Sequence, residues 1–140
     1  MSGTDRPPAG VAHRAMACAG VLVACLLAAG CSRTASTADD VRVEWDVSPA
    51  PPVVGQATVD LRIVDEAGRP VSGATLRLEG HMTHPGMAPV PAPVREAAPG
   101  RYEASLPFSM AGDWVLLLSG ELPDGRLLRE RLDVSGVRSR

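Results

Sequence analysis

Val41-Arg42-Val43-Glu44-Trp45-Asp46-Val47 is the stretch on which the reading of this chain turns. Apolar and charged side chains alternate without a break, so an extended segment would bury one face and wet the other. The same period returns three more times. Ala57, Val59, Leu61 and Ile63 alternate with Thr58, Asp60 and Arg62; Ala74, Leu76 and Leu78 alternate with Thr75, Arg77 and Glu79; and Tyr102, Ala104 and Leu106 form the third set. Trp114 to Gly120 and Leu127 to Val134 add two apolar runs near the end.

Turn chemistry separates these runs: Ser48-Pro49-Ala50-Pro51-Pro52, Asp65-Glu66-Ala67-Gly68-Arg69-Pro70, Pro99-Gly100, Met110 to Gly112, and Leu122-Pro123-Asp124-Gly125. No segment carries a 3.6-residue period. Short strands at even spacing predict an all-β domain, an antiparallel immunoglobulin-like β-sandwich of six or seven strands, with Trp45 and Trp114 in its core. Pro85, Pro89, Pro91, Pro93 and Pro99 predict a long loop after the third strand, interrupted at most by a short strand at Val94 to Ala97.

The chain has 140 residues, 45% of them apolar and 3% aromatic, which bounds a single domain. All 14 basic side chains are Arg, the formal net charge is −2 and no basic run occurs. Nucleic acid is therefore excluded as the expected partner.

The amino terminus has its own layout. A polar stretch with Arg6, His13 and Arg14 precedes the uncharged run Ala15 to Gly30, and Cys31 follows. As a helix that run is about 24 Å long, short of the ~30 Å hydrocarbon core. It reads as a secretory signal. The sequence Leu26-Leu27-Ala28-Ala29-Gly30-Cys31 resembles the lipobox of bacterial lipoproteins, which implies lipidation of Cys31 and a mature chain that begins there. An uncleaved signal anchor is the alternative. The chain then divides into a signal peptide over 1–30, a small, polar tether over 31–40 and a domain over 41–140, held on a membrane surface through lipid. Ser32 after Cys31, rather than Asp, resembles lipoproteins sorted to an outer membrane. Cys18 and Cys25 would leave with the signal, and no thiol remains for a disulfide or a nucleophile.

Glu79-Gly80-His81-Met82-Thr83-His84-Pro85-Gly86-Met87 gathers both histidines and two of the three methionines that follow Cys31. Imidazole and thioether together suit Cu(I), a soft ion, better than zinc, which more often recruits carboxylate or thiolate. In an antiparallel fold the connections after the first, third and fifth strands share one end, so Met110 joins the histidine loop. The tether enters at the opposite end. The candidate metal ligands are His81, His84, Met87, Met82 and Met110. A bland alternative stands beside this one: Met82 continues the inward face of its strand as packing, and the histidines are solvated turn residues. An enzyme is not expected, because no nucleophile elbow, catalytic Cys or phosphate loop is present, and His-x-x-His followed by Pro85-Gly86 is not a zinc-protease helix.

The order of Asp65-Glu66-Ala67-Gly68-Arg69-Pro70-Val71-Ser72-Gly73-Ala74, the Met-bearing loop, Pro99-Gly100-Arg101-Tyr102 and Met110-Ala111-Gly112-Asp113-Trp114 resembles the YtkA-like family, exported β-sandwich domains related to FixH, a cytochrome oxidase assembly factor. The resemblance covers Val41 to Val134. It implies a copper-related role and an oxidase-assembly or other envelope protein as partner, with the family's Met-rich loop falling on Met82, His84 and Met87 and its Met-Ala-Gly-x-Trp block on Met110. Histidine at His81 or His84, where the family often has Met, leaves both Cu(I) and Cu(II) open. Two rivals are a non-catalytic module that contacts an envelope partner through the Pro-rich loop, and a pocket for a small apolar ligand between the sheets.

Overall fold

The computed structural model describes residues 38–140; the signal segment, Cys31 and the tether as far as residue 37 lie outside them. Among the described residues there are seven strands and no helix: β1 Val41–Ser48, β2 Gly55–Asp65, β3 Thr75–Met82, β4 Val90–Ala98, β5 Arg101–Phe108, β6 Gly112–Glu121 and β7 Leu127–Val137. Every pairing between them is antiparallel, in the order β1-β2-β5-β4-β3-β6-β7.

The expected alternation is what forms these strands. On β2, Ala57, Val59, Leu61 and Ile63 are buried while the residues between them are exposed, and β5 does the same with Tyr102, Ala104, Leu106 and Phe108. Leu78, Trp114, Leu116, Leu118, Leu128, Leu132 and Val134 fill the other side. Each such side chain contributes about 1.5–3 kcal/mol on leaving water. Phe108 meets Trp114 edge to face, ring centres 5.3 Å apart. Gly80 lies beneath this contact: a Cβ there would stand 3.0 Å from Leu106 Cδ1, so the missing side chain lets Leu106 settle on β3. The whole core belongs to one compact unit, Arg33–Arg140, which carries its own burial and its own ladders.

Two expectations need correction. The proline-rich stretch is a connection only from Thr83 to Pro89; from Val90 it is a strand, β4, longer than the short one expected at Val94 to Ala97 and including Pro91 and Pro93. Pro91 and Pro93 lack N–H donors, but they lie two apart, so their nitrogens face the same edge. Along Val90 to Pro93 the chain pairs only with β3, and pairing with β5 begins at Val94. Proline is tolerated because that edge has no ladder to supply there. The consequence is a continuous order of strands through β4, in place of two sheets with separate hydrogen bonding. Trp45 is the second correction. It sits opposite Leu61 on the core-facing side, yet remains 38% exposed: β1 ends the strand order and has no ladder along its other edge from Val41 to Ser48.

Short contacts draw the two ends of the order together. The Ala38 N–H donates to the Leu127 carbonyl (3.0 Å) at one extremity. At the other, the Val54 N–H donates to the Arg138 carbonyl (2.8 Å) and the Arg138 N–H to the Pro52 carbonyl (3.0 Å). The sheet is nearly closed.

At the end where the chain enters, polar groups hold the β2–β3 connection. The buried Tyr102 hydroxyl donates to the Val71 carbonyl (2.8 Å) and accepts from the Ala74 N–H (3.1 Å). The Glu96 carboxylate accepts from Gly73 N–H (3.0 Å) and Gly100 N–H (3.1 Å). Burial pushes the Tyr102 hydroxyl above its ordinary pKa, and the backbone donors of Gly73 and Gly100 hold Glu96 below the ordinary glutamate value. Gly100 has φ +69°, and a Cβ on it would lie 2.5 Å from Pro70 Cβ and 2.9 Å from Pro70 Cα.

Gly100→Ala should therefore cost about 2 kcal/mol or more, combining left-handed strain with a backbone collision, and lower the melting temperature by roughly 8 °C or more. Differential scanning calorimetry checks this. A second expectation concerns acid. A carboxylate whose folded pKa is depressed adds stability above its unfolded pKa and loses it as pH falls through the folded value. Urea midpoints measured from about pH 5 to pH 3 should fall less steeply in Glu96→Gln than in the native chain. Part of the slope should survive through Asp65 and Asp124, which backbone hydrogen bonds from Arg69 and Arg126 also hold below the ordinary aspartate value.

Candidate metal-binding end

The antiparallel order brings the β1–β2, β3–β4 and β5–β6 connections to one end, opposite the entry of the chain at Ala38. Register makes this concrete: Met82 pairs with Trp114, Gly80 with Val90, Gly55 with Phe108, and Gly112 with Val137. All five candidate ligands belong to this end. Their side chains do not share one direction.

β3 continues through Met82, so His81 and Met82 are strand residues and the pleat turns them to opposite faces. His81 faces outward beside Glu79, its Nε2 lying 3.5 Å from Glu79 Oε2. That nitrogen is shielded from solvent and has no hydrogen-bond partner, though the side chain as a whole is one-third exposed. Met82 faces inward and packs against the core. Its Cε lies 3.1 Å from where a Cβ on Gly112 would stand, so the glycine makes room for the thioether. His81 and Met82 thus cannot reach one ion together while β3 keeps its register.

His84 and Met87 lie in the exposed connection between β3 and β4, and Met110 in the connection between β5 and β6. Met87 is 41% and Met110 48% exposed, against a fully packed interior. Asp113 ties the two connections together. Its carbonyl accepts from both the N–H and the hydroxyl of Thr83 (3.2 Å each), and its carboxylate accepts from the Gly136 N–H (2.8 Å). Gly136, at φ +67°, marks a bulge in β7 that returns Val137 to the inward face. The Trp114 indole N–H donates to the Met110 carbonyl (3.1 Å), fixing the turn that carries Met110. Neither Asp113 nor Gly112 is among the candidate ligands read from the sequence, yet both shape this end. Their signal in the sequence is the dipeptide Gly112-Asp113 directly before a buried tryptophan.

Among the described residues no three His, Cys, Asp or Glu side chains are grouped to hold a metal ion. The further donors at this end are the methionine sulfurs, which favour soft ions. Clefts are found elsewhere on the molecule. One, of about 400 Å³, sits on the outward face of β3, β6 and β7 around Leu117, Arg77 and Arg129. Another, of about 280 Å³, lies beside Trp45 on β1, β2 and β5.

No curated protein matches this chain. Among solved structures it is similar to a DUF4426 family protein from Pseudomonas aeruginosa PAO1, at 16% identity and a TM-score of 0.55, over 71% of this chain and 92% of that one. It also matches a DUF4785 family protein from Legionella pneumophila subsp. pneumophila str. Philadelphia 1, at 13% identity and a TM-score of 0.44, over 71% of this chain and 28% of the other. The first of these shows a shared fold and nothing further. A family model described as YtkA-like matches residues 35–118, through most of β6 and so across both connections that carry the candidate ligands. On that match, covering more than half of its length, the chain belongs to the YtkA-like family.

Proposed function

We propose that this protein is a lipid-anchored envelope module that binds copper weakly through His84, Met87 and Met110, with His81 at the margin, and serves metal handling or oxidase assembly. The observation that carries the reading is the exposure of Met87 and Met110 at one end of a molecule that otherwise buries its large apolar side chains, Trp45 and Leu117 apart. Thioethers left in water at the end that also carries His84 are soft donors without a packing role. The connection from Thr83 to Pro89 is exposed throughout and has the freedom to bring His84 and Met87 toward an ion. Copper, when bound, would be the delivered or sensed species; the chain's residues hold it and keep its donors at the tip.

The anchor belongs to the same reading. Ala38 enters at the end opposite the methionines, so lipid on Cys31 would leave the copper-binding tip turned toward a partner. An immunoglobulin-like architecture is also part of it. The half-order β1-β2-β5-β4 beside β3-β6-β7 follows the ABED and CFG arrangement of constant-type domains, with β4 bridging the halves. A second reading takes the same exposed connection as a contact surface for an envelope partner, with His and Met as contact residues. Partner capture that survives a copper chelator would favour it.

Competition titration with a Cu(I) chelator on residues 38–140 should give one weakly held ion. Met87→Leu/Met110→Leu should weaken it at least about tenfold, roughly 1.4 kcal/mol, with a melting temperature close to native because both side chains are exposed. Met82→Leu should leave the affinity within about twofold while changing stability by less than about 1.5 kcal/mol. Affinity unchanged in both the methionine pair and His81→Ala/His84→Ala would remove the site. Separately, cells fed a labelled fatty acid should label the native chain and not Cys31→Ala.

A further inference from the structure

We infer that Arg77, Ser119 and Arg129, one cross-strand row on the outward face of β3, β6 and β7, bind the tetrahedral head of a phosphate monoester whose apolar body lies on Leu117. The register sets Arg77 opposite Ser119 and Ser119 opposite Arg129. Side chains opposite one another in an antiparallel pair share a face, so the two arginines flank one hydroxyl, their Cα atoms roughly 10 Å apart. Both arginines are exposed and Ser119 is half-buried between them.

The row has room beside it. A small serine between two long side chains leaves a trough, and a cleft opens on each side. One, of about 280 Å³, runs toward the entry end past Thr75 and Leu127. The other is the cleft of about 400 Å³ that runs past Glu79, Leu117 and Arg131. Arg77, Ser119 and Arg129 line both.

Charge decides what that room accepts. Arg42, Arg62, Arg95 and Arg131, also on strands, each hold a carboxylate. Among the described residues neither Arg77 nor Arg129 has one. The neighbour of Arg77 on β4 is Pro93, and the ladder partner of Arg129 is Ser119 on β6. Glu79, two residues along β3, lies 3.5 Å from His81 Nε2 instead. A guanidinium presents a planar fork of N–H donors and no acceptor. Two guanidiniums and the Ser119 hydroxyl are three donor groups, which matches the three terminal oxygens of a phosphate monoester and exceeds the two of a carboxylate. Glu79 and Glu130 on the walls of the larger cleft repel further negative charge, so the body of the ligand is uncharged there and a polyanion is disfavoured. Leu117, 40% exposed in the same cleft, offers that body an apolar contact. None of these residues belongs to the proposed copper-binding set.

A nuclear magnetic resonance titration of residues 38–140, which hold every strand and the whole core, with hexyl phosphate tests the site. Amide shifts centred on Ser119 and Arg129 should report a dissociation constant on the order of 1 mM, and inorganic phosphate should compete for the same amides more weakly. Arg77→Gln/Arg129→Gln should weaken hexyl phosphate at least about tenfold. Leu117→Ser should weaken hexyl phosphate at least about threefold and leave inorganic phosphate within about twofold, because it removes contact with the chain and not with the head. All three side chains are exposed, so melting temperatures should stay close to native. Met87→Leu/Met110→Leu should bind hexyl phosphate as the native chain does, which separates this site from the copper reading. Vesicles of phosphatidylcholine carrying phosphatidic acid, whose head is the same monoester, identify the source. Sedimentation of the native chain with them, and not of the double-arginine variant, assigns a lipid head; hexyl phosphate binding without it assigns a soluble ester. Shifts that miss Ser119 and Arg129, a double-arginine variant that binds as native, or no shift up to about 10 mM would each overturn the proposal.

Discussion

A pleated strand sends successive side chains to opposite faces, and in this protein seven strands surround one apolar interior, so each residue's side of the sheet is settled by its parity. That constraint places Leu78, Gly80 and Met82 inside and Arg77, Glu79 and His81 outside on β3. It also puts Trp45 on the inner side of a strand that carries a ladder on one edge alone. A one-residue slip would exchange the two faces of a strand, and burial of Leu78, Trp114, Leu116 and Leu118 against one another makes such a slip costly.

β4 is where the strand order is joined. Its first half pairs with β3 and its second half with β5, and the register shifts between Glu96 and Ala98 as it crosses. Prolines that would interrupt a central strand are accommodated, because each half of β4 supplies only one ladder along most of its length. Glu96 is also carried to the β2–β3 connection, where its carboxylate gathers the Gly73 and Gly100 amides beside Tyr102. The entry end is thus fastened by polar bonds. The opposite end is fastened at its base by Asp113, which binds Thr83 and Gly136, while the connections above it stay open to water.

That difference bears on the proposed function. Rigid strands deliver the Met110 turn and the start of the histidine connection side by side, and the exposed residues beyond Thr83 remain able to adjust. His81 is less free: it belongs to β3, with its Nε2 shielded beside Glu79. Under the proposed copper-binding reading, a soft ion at this end would be held chiefly by residues of the connections, which suits weak and exchangeable binding.

The alternation from Val41 to Val47, the repeats at β2 and β5, and the turn residues between them were enough to specify an all-β antiparallel chain and the end to which each connection belongs, because both follow from period and parity. The family was legible too, in four short blocks whose order outweighs any one of them. Sequence alone did not reveal that the prolines of β4 sit in a strand, since that depends on which edge a neighbouring ladder leaves vacant. It left Met82 open between an inward packing residue and a ligand, and only the length of β3 and the room beside Gly112 decided for packing; nor did it show that Trp45 stays partly exposed. Local pattern names the face a side chain occupies; only the assembled sheet decides whether another strand arrives to cover it.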